Sequence, residues 1–142
     1  MTATADAVGG GGTVGGWCAR HGEDSQMTDT AQHIPFLADA ATMELEDLGP
    51  LEEASGEPMQ AFGVTLWQDG EQEAGVWECT PGPSYWKLET NEFVHVLSGR
   101  VTSTPDGGEP QELAPGDTAV FPRGWTGTWV IHETIRKVYV LF

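Results

Sequence analysis

Glu92 is the residue around which this sequence can build chemistry. It lies in the stretch "YWKLETNEFVHVLSG", Tyr85 to Gly99, in a chain whose other chemical resource is aromatic: Trp77, Trp86, Trp125 and Trp129, with Tyr85, Phe93, Phe121 and Tyr139. A carboxylate enclosed by such residues must take up a proton or pair with a cation, because an isolated buried charge is costly. Aromatic walls with a few polar groups suit a planar, apolar or cationic molecule. Trp77, Glu78, Trp86, Phe121 and Trp129 are therefore candidate ligand-binding residues beside Glu92. If Glu78 shares the interior with Glu92, mutual repulsion raises one pKa and creates a general acid. Its neighbour Cys79 must face the opposite way and reads as a small buried hydrophobe. Nothing resembles a catalytic triad or a zinc knuckle, and "GGGG" at 9–12 lacks the lysine of a phosphate-binding loop.

The elements that must position these residues are short. From Met59 onward, runs rich in Val, Trp, Phe, Tyr and Thr fall at 60–67, 73–80, 84–88, 92–97, 100–104, 110–114, 118–121, 127–132 and 135–141. The separators "QDGEQE", "TPGPS", "TPDGGEP", "APGDT" and "PRGW" each hold a Gly or Pro able to make a tight turn. Many short strands without convincing helices predict an all-β sandwich or closed barrel over residues 59–142. A small barrel of this kind has room inside for one compact ligand. Residues 33–58 read as an N-terminal arm, a short strand or extended segment followed by irregular structure. Residues 1–32 read as a flexible Gly-rich leader, since ordering them buries little in return for the entropy lost. Met27, after "HGEDSQ", is a second candidate translation start.

Two elements in the right order resemble the cupins. Glu92 is followed by six residues and Gly99, as at the end of the first cupin motif; Gly116 is followed by five residues and then Pro122, Arg123 and Gly124, as at the start of the second. The phrases "GVWECTPG", "NEFVHVLSGRV", "APGDTAVFPRGWTGTW" and "IRKVYV" are similar to a single-domain branch related to ureidoglycine aminohydrolase and the ethanolamine-utilisation Q protein. The resemblance covers about 75–142. It implies the double-stranded β-helix, or jelly-roll barrel, and a homodimer, for which edge strands and an arm near 34–40 offer strand pairing across a two-fold.

It also implies where metal ligands would stand. The two histidines of the first motif fall on Tyr85 and Lys87 if the spacer before the glutamate is four residues, or on Trp86 and Leu88 if it is three. The histidine of the second motif falls on Gly127, so that of the ligand set Glu92 alone is kept. His95 and His132 fail the strand-parity test for replacing the missing ligands, and His21 and His33 lie in or near the leader. With a four-residue spacer Lys87 becomes the ion-pair partner of Glu92 and Tyr85 a hydrogen-bond donor to it, and these three are the candidate acid–base residues.

Six basic against 22 acidic residues give a formal charge of −16, which repels nucleic-acid backbones and anionic membranes. No apolar run is long enough to span a membrane, and the first residues read as lacking the basic and apolar regions of a secretory signal. Cys18 and Cys79 lie in unlike contexts and read as unpaired, which fits a reducing cytoplasm. The leading expectation is a cytoplasmic, homodimeric cupin that binds a small organic molecule in an aromatic-lined barrel without a conventional metal site. The alternative is an isomerase, cyclase, hydrolase or lyase using Glu92 with Lys87 or Tyr85, and a third reading keeps a divalent metal through Glu92 and unplaced ligands.

Overall fold

The computed structural model describes residues 33–142, and from Phe36 onward they form one compact unit. The expectations for residues 1–32, with Cys18, His21 and Met27, lie outside the described residues. The strands are β1 (Glu46–Pro50), β2 (Gln60–Asp69), β3 (Gln72–Cys79), β4 (Gly82–Lys87), β5 (Glu92–Pro105), β6 (Gln111–Leu113), β7 (Thr118–Phe121) and β8 (Thr126–Leu141). Among the described residues there is no helix, so none is long and apolar enough to cross a membrane.

The two long strands organise the rest. β5 and β8 pair antiparallel from Glu92 opposite Leu141 to Pro105 opposite Gly127. Midway along, their outer partners change. β8 takes β4 beside residues 126–131 and β3 beside residues 135–141, while β5 takes β7 at one end and β6 at the other. The result is two half-sheets, β1-β2-β3-β8-β5-β7 and β4-β8-β5-β6, which share two strands and face each other. This is the jelly roll expected from the sequence. Its core between the halves includes Val94, Val96, Val101, Leu113, Phe121, Trp129, Ile131 and Ile135.

The sequence predicts four strands where the structure has two. The stretches 92–97 and 100–104 are one strand, β5, and 127–132 and 135–141 are one strand, β8. The reason is local. Pairing of β5 with β8 shifts register three times between Val96 and Val101, so the strands bend without losing each other. Gly99 sits in this bend at φ +87, and a Cβ there would stand 2.1 Å from the Thr134 carbonyl oxygen. A glycine that reads as a turn signal serves instead to let two bent strands touch.

The sheet also begins earlier than Met59, because β1 pairs with β2. After it, residues 53–55 run along β4: the Tyr85 N–H donates to Glu53 O and the Ser55 N–H to Pro83 O. On the outer face, Arg136 holds the segment before β1 by donating to the carbonyls of Ala40 and Met43, at 2.9 Å each.

Candidate functional site

Strand register assembles the site. On the inner face of the first half-sheet, Glu73, Leu141 and Glu92 form one row across β3, β8 and β5; Gly75, Tyr139 and Val94 form the next, and Trp77, Lys137 and Val96 a third. Alternation puts the residues between these rows on the outside. The second half-sheet answers with Ser84, Trp129 and Ser103 in one row and Trp86 beside Gly127 in another. The halves meet through indoles: Trp77 and Trp86 pack edge to face with centroids 6.4 Å apart, and Trp86 lies 6.2 Å from Trp129. Between them is a cavity of about 270 Å³, walled by Trp77, Trp86, Trp125 and Trp129, with Leu88, Thr90 and Leu141 and the polar groups of Glu73, Glu92, Lys137 and Tyr139.

Its charges are arranged in two sets. The Lys137 ammonium donates to Glu92 Oε2 at 2.7 Å, and the two residues are only 6% and 8% exposed. The same ammonium lies 4.7 Å from the ring centre of Trp77 and 4.6 Å from that of Trp129. Indole faces carry negative quadrupole charge, so the cation is held from three sides. In the second set the Tyr139 hydroxyl donates to Glu73 Oε2 at 2.5 Å. Burial first, and then that hydrogen bond and the charge of Glu73, push the Tyr139 phenol well above its ordinary range. The indole of Trp86 is fixed by donating from Nε1 to Ser84 Oγ at 2.8 Å, and Ser84 in turn donates to the Trp129 carbonyl.

The structure gathers some sequence candidates and separates others. Glu92, Trp77, Trp86 and Trp129 face one cavity. Phe121 is buried behind it, packed 5.0 Å from Trp125 and 5.3 Å from Trp129, and supports those walls. Tyr85 and Lys87 do not join Glu92. They stand on the exposed face of β4, where Tyr85 donates to Asp106 Oδ2. The spacer ambiguity resolves toward three residues, since Trp86 and Leu88 line the cavity. Lys137 supplies the cation expected from Lys87. Glu78 lies on the face opposite Glu92 and pairs with Arg136 at 2.8 Å, so the expected carboxylate pair is not formed. Glu73 is the second carboxylate of the cavity instead.

The donor set also tests the metal that the cupin resemblance implies. No histidine lines the cavity, and Glu92 is already engaged by an internal cation. His95 stands on the face of β5 opposite Glu92, and His132 is exposed and bonded to Thr102. At Gly127 a Cβ would lie 2.3 Å from the Thr104 carbonyl oxygen and 2.7 Å from the Trp125 ring, so a histidine has no place there. Among the described residues no group of three or more His, Cys, Asp or Glu could hold an ion. The residues present do not fit a conventional cupin metal centre.

Comparison with known proteins agrees with the fold. A family model described as the EutQ-like cupin domain matches residues 66–139, just over half the chain. A protein of unknown function of the DUF861 family from Pseudomonas syringae pv. tomato superposes on 72% of the chain with a TM-score of 0.66 and 21% identity. The match spans 46% of that protein's own length, less than half. The EutQ protein of Clostridium difficile matches 73% of the chain over 83% of its own, with a TM-score of 0.62 and 17% identity. A cupin superfamily protein from Desulfitobacterium hafniense matches 75% over 88%, with a TM-score of 0.56 and 14% identity. At these identities the likeness is one of fold. No curated protein matches the sequence.

Proposed function

The chain belongs to the EutQ-like cupins, and from that premise we propose that it binds a compact, planar organic molecule between its two half-sheets, without a metal. The observation that carries this is the cavity of about 270 Å³ with four tryptophans on its walls and one buried ion pair at its side. That volume lies at the small end of ligand sites, so the molecule is small. Indole faces and edges on the walls favour a planar one. Because Lys137 already occupies the place between Trp77 and Trp129, a ligand has no need to bring its own cation.

Titrations followed by tryptophan emission test this reading. Indole and 2-indanone are expected to give saturable changes, while tetramethylammonium, a cation of smaller size, gives none. Leu88→Trp adds a fifth indole to the cavity wall, fills its space and should abolish the response with the fold intact. Failure of every compact planar probe to saturate would end the reading. The accompanying proposal of a homodimer through an open strand edge is checked by light scattering, which should give twice the chain mass.

An enzymatic reading draws on one further observation, that a carboxylate and an ammonium share the same cavity wall. It replaces Lys87 and Tyr85 with Lys137 as the partner of Glu92.

A further inference from the structure

The way Lys137 and Glu92 are presented together goes beyond holding the sheets. Among the described residues, the bond of 2.7 Å between them is the one side-chain hydrogen bond that either makes. An ammonium has three N–H groups and a carboxylate two oxygens, so each keeps unused capacity on a cavity wall. A hydrogen-bond donor directly beside a proton acceptor matches one motif in small organic molecules. In a ketone or aldehyde, the carbonyl oxygen and a hydrogen on the adjacent carbon lie close together on one side of the molecule.

We propose that the Lys137–Glu92 pair abstracts a proton α to the carbonyl of a compact planar ketone or aldehyde; this rests on the reading that the cavity accepts such a molecule. Glu92 takes the proton as the C–H bond breaks. The bonding pair becomes the carbon–carbon double bond of the enolate, and the carbonyl π pair moves to oxygen. Lys137 donates a hydrogen bond to that oxygen and keeps its proton. When the proton on Glu92 is swapped with solvent before it returns to the same carbon, the α-hydrogen is exchanged, and return to another carbon of a conjugated substrate isomerises the compound. No co-reactant is needed.

Two features favour this chemistry over covalent attack by the lysine. The faces of Trp77 and Trp129 attract a cation, so the lysine is presented as a donor toward developing negative charge. The same rings wall the cavity with apolar surface beside the pair, and a less polar setting strengthens an oriented N–H at the moment charge appears. Tyr139 takes no part, since its hydroxyl is engaged by Glu73.

The probe is 2-indanone in heavy water, with loss of its α-proton signal followed by NMR and tryptophan emission read on the same samples. Exchange is expected to run about 100-fold faster than in buffer, in the range of a positioned acid–base group. The comparison is Lys137→Met/Glu92→Gln, which removes both charges together and leaves neither unpaired. Saturable binding in both proteins, with fast exchange in the wild type alone, supports the proposal. Binding with equal exchange in both overturns it and leaves the binding reading standing. Absence of binding to the wild type overturns both. Should the double variant lose its near-ultraviolet circular dichroism, Glu92→Asp takes its place. That change keeps both charges but withdraws the base, and unchanged exchange in it would overturn the proposal.

Discussion

Removing one partner of the Lys137–Glu92 pair is a different event from removing both. Lys137→Met alone leaves a carboxylate among indoles with nothing to neutralise it, a change that costs about 3–5 kcal/mol when a buried pair is broken. Adding Glu92→Gln removes the orphaned charge and is expected to restore most of that loss in urea titrations; a double variant as unstable as the single one would contradict this account. A second residue-scale effect appears at high pH. Burial pushes the Cys79 thiol from 9 up to about 11, and Tyr139 is held above its ordinary value of 10. Above pH 9 the unfolded thiol loses its proton while the folded one keeps it, and the phenol follows above 10. Stability is therefore full below pH 9 and falls as pH rises through about 11. Cys79→Ala and Tyr139→Phe should each flatten that slope in denaturation midpoints. Single-residue features of this kind were partly legible in the sequence. Glu92 and the tryptophans announced a carboxylate in an aromatic setting, but the cation that meets Glu92 lies 45 residues away, and only strand register brings it there.

At the scale of elements, the bend shared by β5 and β8 decides whether there are two facing half-sheets and a cavity between them. Gly99→Ala tests it. The substitution sets a side chain in a left-handed conformation and drives its Cβ to 2.1 Å from the Thr134 oxygen. Gly107 is the control, because its φ of +76 is similar but nothing lies within 4 Å of its Cβ position. Gly107→Ala should cost about 1–2 kcal/mol for the backbone alone, and Gly99→Ala about 4 kcal/mol, at the upper end for single changes. Equal losses in chemical denaturation would mean that the strand contact is slack. The same bend explains what sequence reading could and could not see. Alternation and turn residues located nearly every strand from Gln60 on, because period and breakers are local properties. A bulge is also local, but whether a glycine ends a strand or bends it depends on the partner strand, which "HVLSGRV" does not name. The three-residue spacing that turns Trp86 and Leu88 inward is not fixed by the sequence for a related reason: Tyr85 and Lys87 alternate with them equally well, and only the half-sheet opposite decides which set is buried.

For the whole molecule, the governing quantity is the excess of 22 acidic over six basic residues. Few of these charges find partners among the described residues. Arg100 holds Glu112 and Glu133 at 2.6 and 3.4 Å on an exposed surface, where such contacts contribute little and salt weakens them. The buried Lys137–Glu92 pair is shielded from mobile ions and responds least. Repulsion among the remaining carboxylates opposes the compact state. It is also the long-range part of the balance, and therefore the part that salt removes first: the Debye length falls from about 30 Å at 0.01 M to about 3 Å at 1 M. Adding sodium chloride over that range should therefore raise the melting temperature. Chloride is the proper anion for the measurement, because sulfate stabilises folded proteins by a separate exclusion effect. Arg100→Gln sharpens the test by removing an attraction and adding to the imbalance, so its melting temperature should start lower and climb further with salt. A melting temperature that falls as sodium chloride rises would mean that surface attractions, rather than the net charge, dominate the electrostatics of this fold.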